Sequence, residues 1–104
     1  MKLTLTIGHN VGDVPTLTHE YVVRTAADVL ALDAFTAWQT VGYYHGVAES
    51  GTRIEICADK SEVMRIYDAV PALSLDLMQE SIYASIEHDA HAAVAAAVPA
   101  AIAL

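Results

Sequence analysis

AFTAWQTVGYYHGVAESGTRIEICAD, residues 34–59, is the stretch on which the fold turns. Two runs rich in β-branched and aromatic residues flank a polar centre from Gly46 to Gly51. Such side chains fit a pleated surface, and a glycine-bounded interruption suits chain reversal, so the stretch is expected to form a β-hairpin. In its second strand Ile54, Ile56 and Ala58 alternate with Arg53, Glu55 and Cys57, which sends the isoleucines to the core. In its first strand Phe35, Ala37, Val41 and Tyr43 share one face, and Thr36, Trp38, Thr40 and Tyr44 share the other. Both of those faces are partly apolar, so the pattern alone leaves the inward one open.

On the N-terminal side, Lys2 to Gly8 alternates cleanly, with Leu3, Leu5 and Ile7 on one face, as a half-buried strand does. Gly8 to Asp13 reads as a loop, which Pro15 continues. Thr16 or Thr18 can cap a helix running to about Leu32, with Val22, Ala26, Val29 and Leu30 as its apolar stripe. On the C-terminal side, Asp59 or Ser61 caps a second helix to about Met78, and Pro71 should kink or break it near Asp68 to Val70. Glu80 to Glu87 follows as a strand with Ile82, Ala84 and Ile86 inward. The order βαββαβ, with short right-handed connections, favours an α+β fold: a ferredoxin-like two-layer sandwich with strand order fourth, first, third, second, all antiparallel. Residues 1–87 make that domain. Residues 88–104 are an apolar, Ala-rich tail, in which Ala92 to Val98 favours a short helix ended by Pro99.

A chain of 104 residues, 55% of them hydrophobic, supports one domain with one core. Thirteen acidic against five basic residues give a net charge of −8, a field that repels phosphate backbones, disfavours direct nucleic-acid binding and suits a basic protein partner. A single cysteine, Cys57, forms no internal disulfide and no thiolate metal cluster. The N-terminus lacks the apolar block of a signal peptide. The apolar run at the C-terminus falls short of the roughly 20 residues a spanning helix needs. The expectation is therefore a cytoplasmic protein, and a homodimer, since the apolar tail and an uncovered sheet face together expose more apolar surface than a monomer tolerates.

Walker, GxGxxG, CxxC, GxSxG and HExxH motifs are absent from the sequence, and no cofactor or metal is implied. His9, with Asn10 beside it, and His45 fall at the same end of the expected sheet, about 10 Å apart in backbone terms. They could flank a ligand or act as acid and base, although two loop histidines with ordinary hydrogen bonds are the simpler reading. His88 and His91, three apart, are too few for a metal site, and His19 reads as solvated. Cys57 reads as a small buried apolar residue. The clearest surface is the sheet face without helices, which would show Thr4, Thr6, Trp38, Tyr44, Arg53, Glu55, Tyr83 and Ser85. Aromatic side chains on an uncovered sheet mark a contact surface.

The runs GHNV, PT, FTAW, GYYHG, ESGTRIEI and QESI, spread over Leu3 to Glu87, resemble a group of short uncharacterised proteins from phages and actinobacterial genomes. That resemblance implies no activity. By size, charge and fold class the chain is also similar to small acidic phage inhibitors of the anti-CRISPR kind. Together these readings lead to a non-enzymatic, acidic protein-interaction module, such as a phage or mobile-element inhibitor of a host defence or nucleic-acid-handling protein. The alternatives are a dimeric small-molecule enzyme or ligand-binding protein using His9, His45 and Tyr44, and a structural homo-oligomer held by its tail.

Overall fold

The computed structural model describes residues 1–88 and 92–100. Its elements are β1 (Lys2–Gly8), β2 (Asn10–Val11), β3 (Val14–Pro15), α1 (His19–Val29), β4 (Thr36–Tyr44), β5 (Val47–Cys57), α2 (Lys60–Asp76), β6 (Ser81–His88) and β7 (Ala92–Pro99). The fold is α+β. Five strands form one antiparallel sheet in the order β4-β5-β1-β6-β7, and β2 with β3 forms a small separate ribbon. Both helices pack on one face of the large sheet. Leu3, Leu5 and Ile7 of β1, Ile54 and Ile56 of β5 and Ile82 of β6 meet Val22 and Ala26 of α1 and Val63, Ile66, Val70 and Leu73 of α2. Burying each of the larger side chains contributes about 1.5–3 kcal/mol, so this interface carries most of the fold's stability.

The helix ends are fixed by side chains. Thr18 Oγ1 accepts from the Tyr21 amide and Asp59 Oδ1 from the Glu62 amide, each supplying a partner for an otherwise orphan first-turn N–H. Arg65 of α2 donates to the carbonyls of Leu30 (3.0 Å) and Ala31 (3.3 Å), where α1 ends, and is held in place by Glu62. The second helix therefore supplies donors for the carbonyls just beyond the end of the first. The break expected at Pro71 does not occur, and α2 runs continuously through it. Proline removes one backbone hydrogen bond there, while Val63, Ile66, Val70 and Leu73, on both sides of it, stay fully packed.

Two further expectations are corrected. The hairpin does not turn across Gly46 to Gly51. It turns at His45 and Gly46, both with positive φ (50° and 78°), and the nine pairs from Thr36↔Glu55 to Tyr44↔Val47 continue into the stretch read as its polar centre. Two such residues form the tight turn whose twist matches the flanking strands. The tail segment expected as a helix is strand β7, paired with β6 from Ser81↔Pro99 to His88↔Ala92. Alanine prefers a helix by fractions of a kcal/mol per residue. The free edge of β6 offers a ladder of backbone hydrogen bonds and a buried place for Val98, which outweigh that preference. Tail residues 89–91 and 101–104, which include His91, Ile102 and Leu104, lie outside the described residues.

No described helix is long and apolar enough to cross a membrane.

Candidate functional site

The sheet has one face without helices, and strand alternation decides what it shows. Register places Thr4 opposite Glu55, Thr6 opposite Arg53, Trp38 opposite Arg53 and Thr6 opposite Tyr83. These side chains, with Lys2, Ser85 and Glu87, line a groove of 280 Å³. The inward face of β4 is now settled: Ala37 packs against the core and Trp38 points into the groove. Trp38 is 36% exposed and Tyr83 49% exposed. Between them lie a half-buried carboxylate, Glu55, and a guanidinium, Arg53, whose Nε donates to Thr6 Oγ1 at 3.4 Å. Lys2 pairs with Glu87 at 3.2 Å at the far end of the groove, and that contact, with Glu55 adding to it, raises the Lys2 pKa. Tyr44 shares the face but stands apart, at the tip of the hairpin, 74% exposed and edge-on to His45. Of the eight residues expected on this face, seven meet in the groove and Tyr44 does not.

The helix-bearing side of the sheet, where α1 starts, holds a larger cleft of 490 Å³. Its walls are the β2–β3 ribbon, the first residues of α1 and the outer part of the β4–β5 hairpin, with His9, Asn10, Thr18, His19, Gln39 and Ser50 as its polar lining. His9 is 5% exposed. Its Nε2 lies 2.7 Å from Thr52 Oγ1, and Nδ1 of His19 lies 2.9 Å from the same oxygen. Burial pushes the His9 pKa down, the neighbouring His19 adds to this, and Glu49 opposes it. The backbone places the ribbon: His9 donates its N–H to Ser50 O, and its carbonyl accepts from Thr16 and Leu17. Gln79, arriving from the end of α2, donates to Asn10 O at 2.8 Å.

The histidine pairing expected from sequence is therefore wrong in its partner. His9 and Asn10 do line the cleft, but His45 sits exposed at the hairpin tip and takes no part in its lining. The residue that joins His9 is His19, read from sequence as solvated. The missed signal is Thr52: the one buried polar side chain on β5, below Ile54 and Ile56, marks where buried hydrogen bonding is needed. Cys57 is exposed rather than buried, on the open face across from Lys2. Among the described residues no cluster of three or more histidine, cysteine or acidic side chains could hold a metal ion.

No protein-family model and no curated protein matches the sequence. Solved structures do. A phage SAM lyase in the apo state superposes with a TM-score of 0.74 at 25% identity, covering 99% of this chain and 91% of that one. A phage SAM lyase in complex with S-methyl-5'-thioadenosine superposes with a TM-score of 0.67 at 22% identity, covering 93% and 88%. These findings overturn the expectation of a non-enzymatic inhibitor or acidic interaction module, because the chains built like this one are named as an enzyme. The described part of the tail pairs with the chain's own β6.

Proposed function

We propose that this protein is an enzyme that cleaves S-adenosylmethionine and releases S-methyl-5'-thioadenosine. One observation carries the reading: the likeness to phage SAM lyase runs over nearly the whole of both chains. The chemistry follows from the two molecules. S-Methyl-5'-thioadenosine keeps the methyl and adenosyl groups, so the bond that breaks joins sulfur to the γ-carbon of the methionine-derived chain. The bonding pair goes to sulfur and the sulfonium becomes a neutral thioether, while an oxygen of the substrate's own α-carboxylate bonds to the γ-carbon and closes a lactone, so neither an acid nor an added nucleophile is needed.

The open groove is the part of this chain that suits such a substrate. Trp38 and Tyr83 offer aromatic faces for the adenine, a contact worth about 1–3 kcal/mol per base. Glu55 is a carboxylate for the α-ammonium or the ribose hydroxyls, and Arg53 a partner for the α-carboxylate. Positive charge on sulfur is lost as the bond breaks. A carboxylate set directly against the sulfonium would therefore favour the ground state, and Glu55 serves better by holding the substrate's other groups. An acidic chain of net charge −8 also attracts a cationic substrate.

The groove alone is smaller than the cavities that enclose ligands of this size, roughly 300–1,000 Å³. Self-association over the open face would complete it and cover Trp38 and Tyr83, in keeping with the homodimer expected from sequence. The βαββαβ core with β7 added beside β6 is read here as a ferredoxin-like sandwich. The test is incubation of the purified chain with S-adenosylmethionine followed by chromatography. Catalytic accumulation of S-methyl-5'-thioadenosine supports the reading, and unchanged substrate beside a folded protein rejects it.

A further inference from the structure

The cleft on the helix side is left unused by this reaction, yet it is the larger concavity and the more built one. Its lining holds no Asp, Glu, Lys or Arg, in a chain of net charge −8. Its titratable groups are two imidazoles tied to one buried hydroxyl. We infer that this cleft is a second small-molecule site, which takes the anionic head of a metabolite, a carboxylate or a phosphate, against the His9–Thr52–His19 chain.

The Thr52 hydroxyl carries a single hydrogen. A hydroxyl donates once, so Thr52 donates to one imidazole and accepts from the other. In the neutral pair, one histidine then shows the cleft a bare nitrogen and the other shows it an N–H. Nδ1 of His9 and Nε2 of His19 are those outward nitrogens, and neither makes a hydrogen bond among the described residues. Adding one proton keeps both contacts to Thr52 and turns the bare nitrogen into a second donor. The cleft then offers two donors and one positive charge from a pair fixed by a residue with no exposed surface. That is an anion site, and it is made by the proton that the anion brings with it.

The cleft resists that proton, because burial lowers the His9 pKa and His19 adds to the effect. The other charges nearby do not supply a competing ion inside the cleft. Glu49 of β5 acts on His9 and accepts the Asn10 N–H at 3.2 Å. Glu20 of α1 lies with His19, Thr18 and Gln39 in the shallow depression next door. Asp13, in the β2–β3 turn, is exposed. From the end of α2, Gln79 reaches the ribbon through the Asn10 carbonyl and carries no charge.

This inference is independent of the reaction proposed above, and turnover is not its readout. The full chain is titrated with inorganic phosphate and, separately, with acetate, at constant ionic strength set by sodium chloride. The imidazole Cε1–H resonances are followed at about pH 6 and about pH 8. The expected result is saturable, simultaneous movement of the His9 and His19 signals while His45 does not follow. Affinity should weaken by about tenfold per pH unit above the histidine pKa, as uptake of one proton requires. Saturation by phosphate alone assigns a phosphate head, and saturation by acetate assigns a carboxylate. His19→Gln, at a half-buried position, should lose at least about tenfold in affinity, and Thr52→Ser, which keeps the hydroxyl, should bind as the parent does. Shifts that never saturate, that all histidines share, or that are equal at both pH values overturn the inference. So does undiminished binding in His19→Gln.

Discussion

On the open side of the sheet, β5 presents Arg53 and Glu55 between Trp38 and Tyr83. On the helix side, the residue just before Arg53 turns Thr52 towards two imidazoles. The two concavities share a strand and differ in everything chemical. The groove has carboxylates, a guanidinium and aromatic rings. The cleft has neutral polar groups and histidine. Alternation with period two lets one strand carry both, and it makes register the property that protects them, because a slip of one residue would exchange their contents. The cationic, adenine-bearing substrate proposed above matches the first set. The greater volume of the cleft does not argue otherwise, since volume without a matching charge gives a ligand no orientation.

Trp38→Ala removes an aromatic face from the groove alone, and should raise KM for S-adenosylmethionine roughly tenfold, the equivalent of one lost stacking contact. Steady-state rates of S-methyl-5'-thioadenosine release measure it. Thr52→Val acts on the cleft alone. It keeps the shape and leaves two imidazole nitrogens without their partner, so stability should fall by about 1–3 kcal/mol in urea unfolding, with an unchanged slope.

The smallest effect is on pH dependence. The His9 pKa is lowered from 6.5 in the fold, so the unfolded chain binds more protons than the folded one in the window just below that value. Stability contributed by His9 is therefore present above pH 6.5 and declines as pH falls towards the lowered pKa. His9→Gln should flatten that part of a melting-temperature curve taken from about pH 7.5 to about pH 5. A curve that keeps its slope in the variant would show that His9 is not buried as described.

How much of this could be read from residues alone follows the range of the interactions. Lys2–Gly8 alternates within itself, and β1 has those bounds. Thr18 and Asp59 cap helices through bonds to residues three positions on, so each was one of the two candidates that its stretch offered. The open face was legible too, because alternation along each strand fixes its members once the strands are known. The hairpin turn was misplaced because Gly46 and Gly51 both look like turn glycines. Only the pairing with β4 shows that Gly51, with Ile7 O at 3.0 Å from where a Cβ would sit, lies inside the ladder against β1. The tail was misread because local propensity saw alanines, while the deciding partner was the edge of β6. The cleft was missed because His9 and His19 meet through Thr52, 43 and 33 residues away along the chain. No local pattern carries a contact of that span.

The central claim is that chemistry sits on the open face, and Glu55→Gln tests it most directly. The substitution keeps size and removes charge at one half-buried carboxylate. The account predicts that conversion of S-adenosylmethionine to S-methyl-5'-thioadenosine, followed by chromatography, falls about 100-fold, or roughly 2.7 kcal/mol of transition-state stabilisation, with the melting temperature nearly unchanged. Full turnover in Glu55→Gln, together with loss of turnover in His9→Gln, would place the reaction in the cleft and contradict it.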